Sequence, residues 1–147
     1  MKVPGSREEF ESLARETMEK EGLTFVSAVY EVVDSLTRQE LDKGEVHLAC
    51  RMGCPLCCYQ MVTCTSSEWE EIAHFLKGRW SMIRTLVNKA RRFWLPYYLH
   101  NRHKPPSEEA TLQVYKDWLG KPCIFLNTSG RCTIYKVRPI DCRTLTS

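Results

Sequence analysis

The sequence predicts a mainly α-helical fold ending in a small C-terminal β-hairpin. Two observations predict it. Apolar residues recur at helical spacing through most of the first 120 positions, and two short β-prone runs lie close together near the end. With 147 residues, 43% of them hydrophobic, the chain is long enough for one core and too short for two large ones. A single domain is expected over 1–147, organised as a helical segment 1–49, a cysteine cluster 50–64, a basic helical block 66–120 and a cysteine-bearing tail 121–147.

Ser6-Arg-Glu-Glu9 reads as a capping box, in which the serine hydroxyl accepts a backbone N–H and the glutamate reaches back. Phe10, Leu13, Thr17 and Met18 then give a helix its apolar stripe, and Gly22 stops it. A second helix runs from about Thr24 to Leu41 on Val29, Val32, Val33 and Leu36, so the two form an antiparallel pair. Gln60 to Thr65 is short and β-prone, and Ser67-Glu-Trp-Glu70 reads as another capping box. Trp69, Ile72, Ala73 and Leu76 follow on one helical face as far as Gly78. Ile83, Val87, Ala90 and Trp94 extend a further helix until Pro96 disturbs it. Ser107 caps a last helix over Glu108 to Leu119. Ile124-Phe-Leu126 and Thr133-Ile-Tyr135, separated by Asn127 to Arg131, read as the hairpin.

Fourteen of the eighteen acidic residues lie in 1–71, whereas 72–107 holds eight Lys or Arg and no Asp or Glu. The basic segment 77–104 could meet an acidic protein or a redox partner, although such charge is commonly the solvated face of a helix. Phe93, Trp94, Tyr97 and Tyr98 read as core aromatics rather than base-stacking platforms, which disfavours nucleic acid. No stretch approaches the roughly 20 apolar residues of a membrane span, and MKVPGSREEF has no signal-like apolar run. The expected location is cytoplasmic, where thiols stay reduced and eight cysteines argue for metal or redox chemistry over disulfides.

CRMGCPLCC, residues 50–58, puts four thiols into nine positions. Cys54-Pro-Leu-Cys57 is a stiff knuckle of the kind that presents two thiolates to zinc or to an iron–sulfur cluster. Adjacent Cys57 and Cys58 diverge, so they serve two centres, or one ligates while the other packs or does redox chemistry. Cys123, Cys132 and Cys142 surround the hairpin, and ligation shared with the first cluster would fix so small an element. The result is a compact, metal-stapled helical domain. Cys64, in an apolar strand-like stretch, is expected to pack. Seven principal thiols remain, enough for one four-ligand centre with spares or two that share a ligand. Arg51, Lys121, Arg131, Lys136, Arg138 and Arg143 flank them and can offset thiolate charge. His47 is expected to be solvated, and His74, His100 and His103 carry no assigned chemistry. Tyr135 and Arg138 are expected to brace the tail.

The C-x3-C-x2-C spacing also fits radical S-adenosylmethionine enzymes, but a helical chain without βα repeats rejects that reading. The fuller pattern joins Cys50-x3-Cys54-x2-Cys57-Cys58 to Pro122-Cys-Ile-Phe-Leu126, Gly130-Arg-Cys-Thr-Ile-Tyr135 and Arg138-Pro-Ile-Asp-Cys-Arg143. It resembles the YkgJ-type cysteine-cluster family, the CxxCxxCC zinc- or iron-chelating proteins related to flagellin lysine N-methylases, over about forty residues. The resemblance implies a metal-chelating domain whose seven cysteines map onto Cys50, Cys54, Cys57, Cys58, Cys123, Cys132 and Cys142. Methylase activity does not carry over, because no cofactor-binding loop is matched. The leading expectation is an iron–sulfur protein, 4Fe-4S, able to carry electrons, with zinc as the alternative metal. A methylase-like enzyme and a zinc-stapled interaction module are the other readings.

Overall fold

The computed structural model describes residues 3–44, 53–103 and 107–144. In it the first two periodic segments form α1 (Arg7–Glu21) and α2 (Phe25–Asp42). Ser6 accepts from the Glu9 N–H at 3.2 Å, while Glu9 reaches back to the N–H of Gly5, one residue beyond the expected partner. Gly22 ends α1 at φ 64°, a left-handed conformation that favours glycine. The tight turn folds α2 back on α1. Ala14 and Ala28 are both fully buried, and side chains so small let two helix backbones approach closely.

The third helix, α3 (Ser66–Leu76), begins two residues earlier than the capping box expected at Ser67 and Glu70. Thr65 is the cap, accepting from the Glu68 N–H, and Glu68 accepts the Thr65 N–H and hydroxyl at 2.9 Å each. This register wins because Glu68 has a second task. Its other oxygen accepts the Ile140 N–H at 2.7 Å, so a carboxylate only 7% exposed is fully used. Trp69 and Ala73 are therefore exposed, and the inward face of α3 is Glu68, Ile72 and Leu76. Thr65→Ala is expected to destabilise the fold by about 1 kcal/mol, read as a lower urea midpoint at unchanged slope.

Ile72 and Leu76 form the central core with Leu86 and Ile134, and Phe75, Met82, Ile83 and Phe125 pack around them. Leu86 fills this position in α4 (Trp80–Lys89), whereas Val87, expected inside, is exposed. A π-helical segment, Ala90–Trp94, follows directly and leads into α5 (Leu95–Asn101), where Pro96 is the second residue. Proline has no N–H, and its ring crowds the carbonyl four residues back. The widened turn just before it keeps the helix going, with the Leu95 N–H bonded to Ala90 C=O. Of the four aromatics expected in the core, Trp94 and Tyr97 face inward, while Phe93 and Tyr98 are exposed. Trp94 stacks on Trp118 of α6 (Glu108–Trp118) at 3.7 Å between ring centroids, and Tyr97 meets the same indole edge-on at 5.1 Å.

The tail turns back on itself where the hairpin was expected, with the Asn127 N–H bonded to the Arg131 carbonyl and the Thr133 N–H to the Phe125 carbonyl, both at 2.9 Å. Among the described residues it has no strand, only one antiparallel bridge between Leu126 and Cys132. Asn127 turns the chain, its side-chain oxygen accepting from the Ser129 and Arg131 N–H groups at 3.0 and 2.9 Å. This side-chain turn competes with a longer ladder. Gln60 to Thr65 likewise is not a strand. A short α7 (Ile140–Thr144) ends the described chain. Among the described residues no helix is long and apolar enough to cross a membrane.

Candidate metal centre

The two cysteine regions meet along a backbone seam. Residues Leu56–Tyr59 form a 3-10 turn after Pro55, which places Cys57 and Cys58 in sequence along it. The Cys58 carbonyl accepts the Cys123 N–H at 2.6 Å, and the Tyr59 carbonyl accepts the Gly120 N–H at 3.1 Å. Farther along, Asp141 of α7 accepts the Thr63 N–H at 2.7 Å and the Thr63 hydroxyl as well. Segments about 60 to 80 residues apart are thus joined by main-chain and side-chain bonds on both flanks of the thiols.

A cavity of about 270 Å³ lies between them, and all seven described cysteines line it: Cys54, Cys57, Cys58, Cys64, Cys123, Cys132 and Cys142. Six of these are sequence-predicted site residues. The seventh predicted residue, Cys50, lies outside the described residues, as do His47 and Arg51. Cys64 does not pack as expected. It is exposed at the cavity rim, its thiol donating to the Thr65 carbonyl at 3.5 Å.

Among the described residues the cavity wall carries seven cysteines and no Asp, Glu or His. Such a donor set suits soft thiophilic metals and not hard oxygen-seeking ions. All seven described cysteines are free thiols. Among the described residues no three Cys, His, Asp or Glu side chains are set to close on an ion in this arrangement. Hydrogen bonding with the neighbouring Cys58 thiol, whose one proton Cys57 and Cys132 share, holds Cys57 down to about 6 and Cys132 down to about 7. Those same bonds, together with burial, push Cys58 strongly up. Burial also raises Cys123, and pushes Cys142 up to about 12, with the neighbouring thiols adding to both.

Two cations oppose this accumulation of charge. Arg138 reaches the cavity and lowers Cys57, Cys132 and Cys142; its guanidinium lies 3.8 Å from the centre of the Tyr135 ring and donates to the Tyr135 carbonyl, the bracing expected of this pair. The second cation was not legible in the motif. Lys89, on α4, donates to the carbonyls of Ile124 (3.2 Å) and Leu126, and lowers Cys123 from behind the loop. Lys121 lies on the wall with its ammonium 4.9 Å from the Trp118 ring centre. Arg143 does not act on the thiols as expected. It is 5% exposed and turned away to Asp34 at 2.5 Å, while Arg131 and Lys136 are exposed.

These shifts fix a pH dependence for the metal-free protein. Cys57 and Cys132 are depressed from an ordinary value of 9.0, so the unfolded chain binds more protons than the folded one between the two values. Their contribution is complete above 9.0, and is lost as pH falls through about 7 and then about 6. Cys142 works in the opposite sense, weakening the fold as pH rises from 9.0 towards about 12. The urea midpoint of metal-free protein is expected to rise with pH across the neutral range, and alkylation by iodoacetamide to reach Cys57 and Cys132 first.

The family model of CxxCxxCC, described as "Putative zinc- or iron-chelating domain", matches residues 49–147. That match covers the cysteine regions and everything between them, and the chain belongs to this family of metal-chelating proteins. No curated protein matches the chain, and no solved structure does.

Proposed function

We propose that the chain holds an iron–sulfur cluster, of the 4Fe-4S type, in the cysteine-lined cavity and uses it to carry electrons. The observation that supports this reading is the surplus of both sulfur and space. A structural zinc ion takes four ligands in a closed tetrahedron, whereas here seven thiols line an open volume of about 270 Å³, equal to roughly nine water molecules at their liquid volume. A 4Fe-4S cluster also takes four thiolates, but its four irons and four sulfides fill space that a lone ion leaves empty, and the remaining thiols serve a second centre or stand as spares. The proposed ligands are drawn from Cys50, Cys54, Cys57, Cys58, Cys123, Cys132 and Cys142, four to a cluster, and the metal is proposed to staple 1–147 into one unit. When bound, the cluster supplies one-electron chemistry. The protein's own residues hold the thiolates close, exclude water with Trp94 and Trp118, and set the local charge with Arg138 and Lys89.

Anaerobic purification followed by metal and acid-labile sulfide analysis tests the proposal. Brown protein with broad visible absorption and matched iron and sulfide is the expected result. Colourless protein with one zinc per chain and no sulfide would replace it with the zinc-stapled interaction module. Methyl transfer from S-adenosylmethionine to a protein lysine is the outcome that the methylase-like reading requires.

A further inference from the structure

We propose that the outer face of the helix running through α4, the π segment and α5 is a docking surface for a partner protein that presents an acidic amphipathic helix. Trp80, Val87, Leu95 and Leu99 are 74%, 41%, 45% and 46% exposed on this helix. Arg84 and Arg91, also exposed, fall between them in sequence, giving the spacing 80, 84, 87, 91, 95, 99. Steps of three and four keep residues on one helical face. The total is 19 residues, and five α-helical turns take about 18. The π segment at Ala90–Trp94 absorbs the extra residue and keeps Leu95 and Leu99 in line with Trp80 and Val87.

The composition of this stripe selects its occupant. Arg84 and Arg91 have no carboxylate partner among the described residues, and no Asp or Glu occurs anywhere in 72–107. A complementary surface must therefore be acidic. Both guanidinium groups lie within the apolar row, so a membrane that buried the leucines would have to take in the charges as well, at high cost. A helix with carboxylates between its apolar side chains answers both features at once. Nucleic acid has little use for Val87, Leu95 and Leu99. A second copy could offer the six glutamates of α1, but Phe10, Leu13 and Met18 of that helix are not exposed, so it has the charge without the anchors. The surface lies on the same helix that supplies Trp94 to the cavity wall and Lys89 to the Cys123 loop, so a docked partner would sit about one helix diameter, ~10 Å, from the thiols.

The test uses the full chain as purified and a fluorescent synthetic helical peptide of about 21 residues, with leucine at positions i, i+3 and i+7 and glutamate between them. The control peptide has glutamine in place of glutamate. The glutamate peptide is expected to bind at least about tenfold more tightly than the control, and to weaken as salt is raised. Arg84→Glu/Arg91→Glu and Trp80→Ser/Leu95→Ser are each expected to cost about tenfold or more in affinity, with the thermal midpoint and metal content unchanged because every altered residue is exposed. Equal binding of both peptides, or full binding by either double variant, overturns the proposal. So does tighter binding to phosphatidylserine vesicles than to the peptide, or dimerisation of the chain that Arg84→Glu/Arg91→Glu abolishes while the peptide fails to bind. No cysteine is altered, so failure here and failure of the metal reading are separate results.

Discussion

Cys132→Ser is expected to lower metal retention by about 100-fold or more, and Cys58→Ser to do the same, because each removes a thiol from opposite sides of the seam. Removing a group that merely orients a metal ligand costs about 10- to 100-fold in affinity, so losing a proposed ligand should cost at least the upper end of that range. Cys58 is the thiol that both Cys57 and Cys132 face, and its carbonyl is the acceptor of the Cys123 N–H. The double variant is expected to be little worse than either single one, since groups that act as a unit are not additive. Stability should follow metal. A ligand present at about 100 times its dissociation constant stabilises by about 2.7 kcal/mol, and a variant that cannot retain metal should unfold with the midpoint of metal-free wild type. Cys64→Ser, at the exposed rim, is expected to keep its metal. Metal analysis after desalting, paired with thermal unfolding of each variant, decides the matter; full metal content in Cys58→Ser or Cys132→Ser would remove the cavity from the account.

The helical plan was legible because long periodic segments are. Residues such as Val32 and Ile72 are buried where their spacing puts them. Local ambiguity failed where two readings had similar patterns and a distant contact chose between them. Thr65 with Glu68, and Ser67 with Glu70, are equally good capping boxes in isolation; the Ile140 N–H, 72 positions away, selects the first. Leu86 and Val87 are adjacent apolar residues, and only the packing against Ile72 and Ile134 decides which is inside. Pro96 announced a disturbance, but not that one widened turn would absorb it. The cysteines were the most legible part of the site, since thiols so dense in sequence have few structural uses. Lys89 was not legible at all: it sits in a helix 34 residues from Cys123, with no motif to mark it. Arg143 was misread in the opposite way. Its place beside Cys142 suggested a counter-charge, whereas successive residues of a helix point in different directions, so Cys142 faces the cavity while Arg143 faces α2.

That arrangement makes Asp34 the position outside the cysteines where a single substitution should do most harm. The Arg143 side chain is 2% exposed and Asp34 33% exposed, with 2.5 Å between Nη1 and Oδ2. Arg143 also donates to the carbonyls of Arg138 at 3.0 Å and Lys136 at 2.5 Å, and its guanidinium lies 4.1 Å from the centre of the Tyr30 ring. Asp34→Ala would leave a permanently charged group buried without an anion, a change that costs about 3–5 kcal/mol at fully enclosed pairs. Partial exposure of Asp34 admits water, so about 2–4 kcal/mol is expected here. Arg143→Met should cost less, because Asp34 can be hydrated while methionine keeps the contact with Tyr30. The double variant, Asp34→Ala/Arg143→Met, is then expected to be more stable than Asp34→Ala alone, a sign that a simple sum of lost contacts cannot produce. Urea unfolding of the three metal-free proteins reads the order directly, and an Asp34→Ala variant as stable as wild type would show that α7 is held by other means. The consequence should reach the thiols. Asp141, Cys142 and Arg143 tie one short helix to Thr63, to the cavity and to α2 in turn. Loosening the last tie should therefore weaken metal retention through Cys142, although Asp34 itself does not line the cavity.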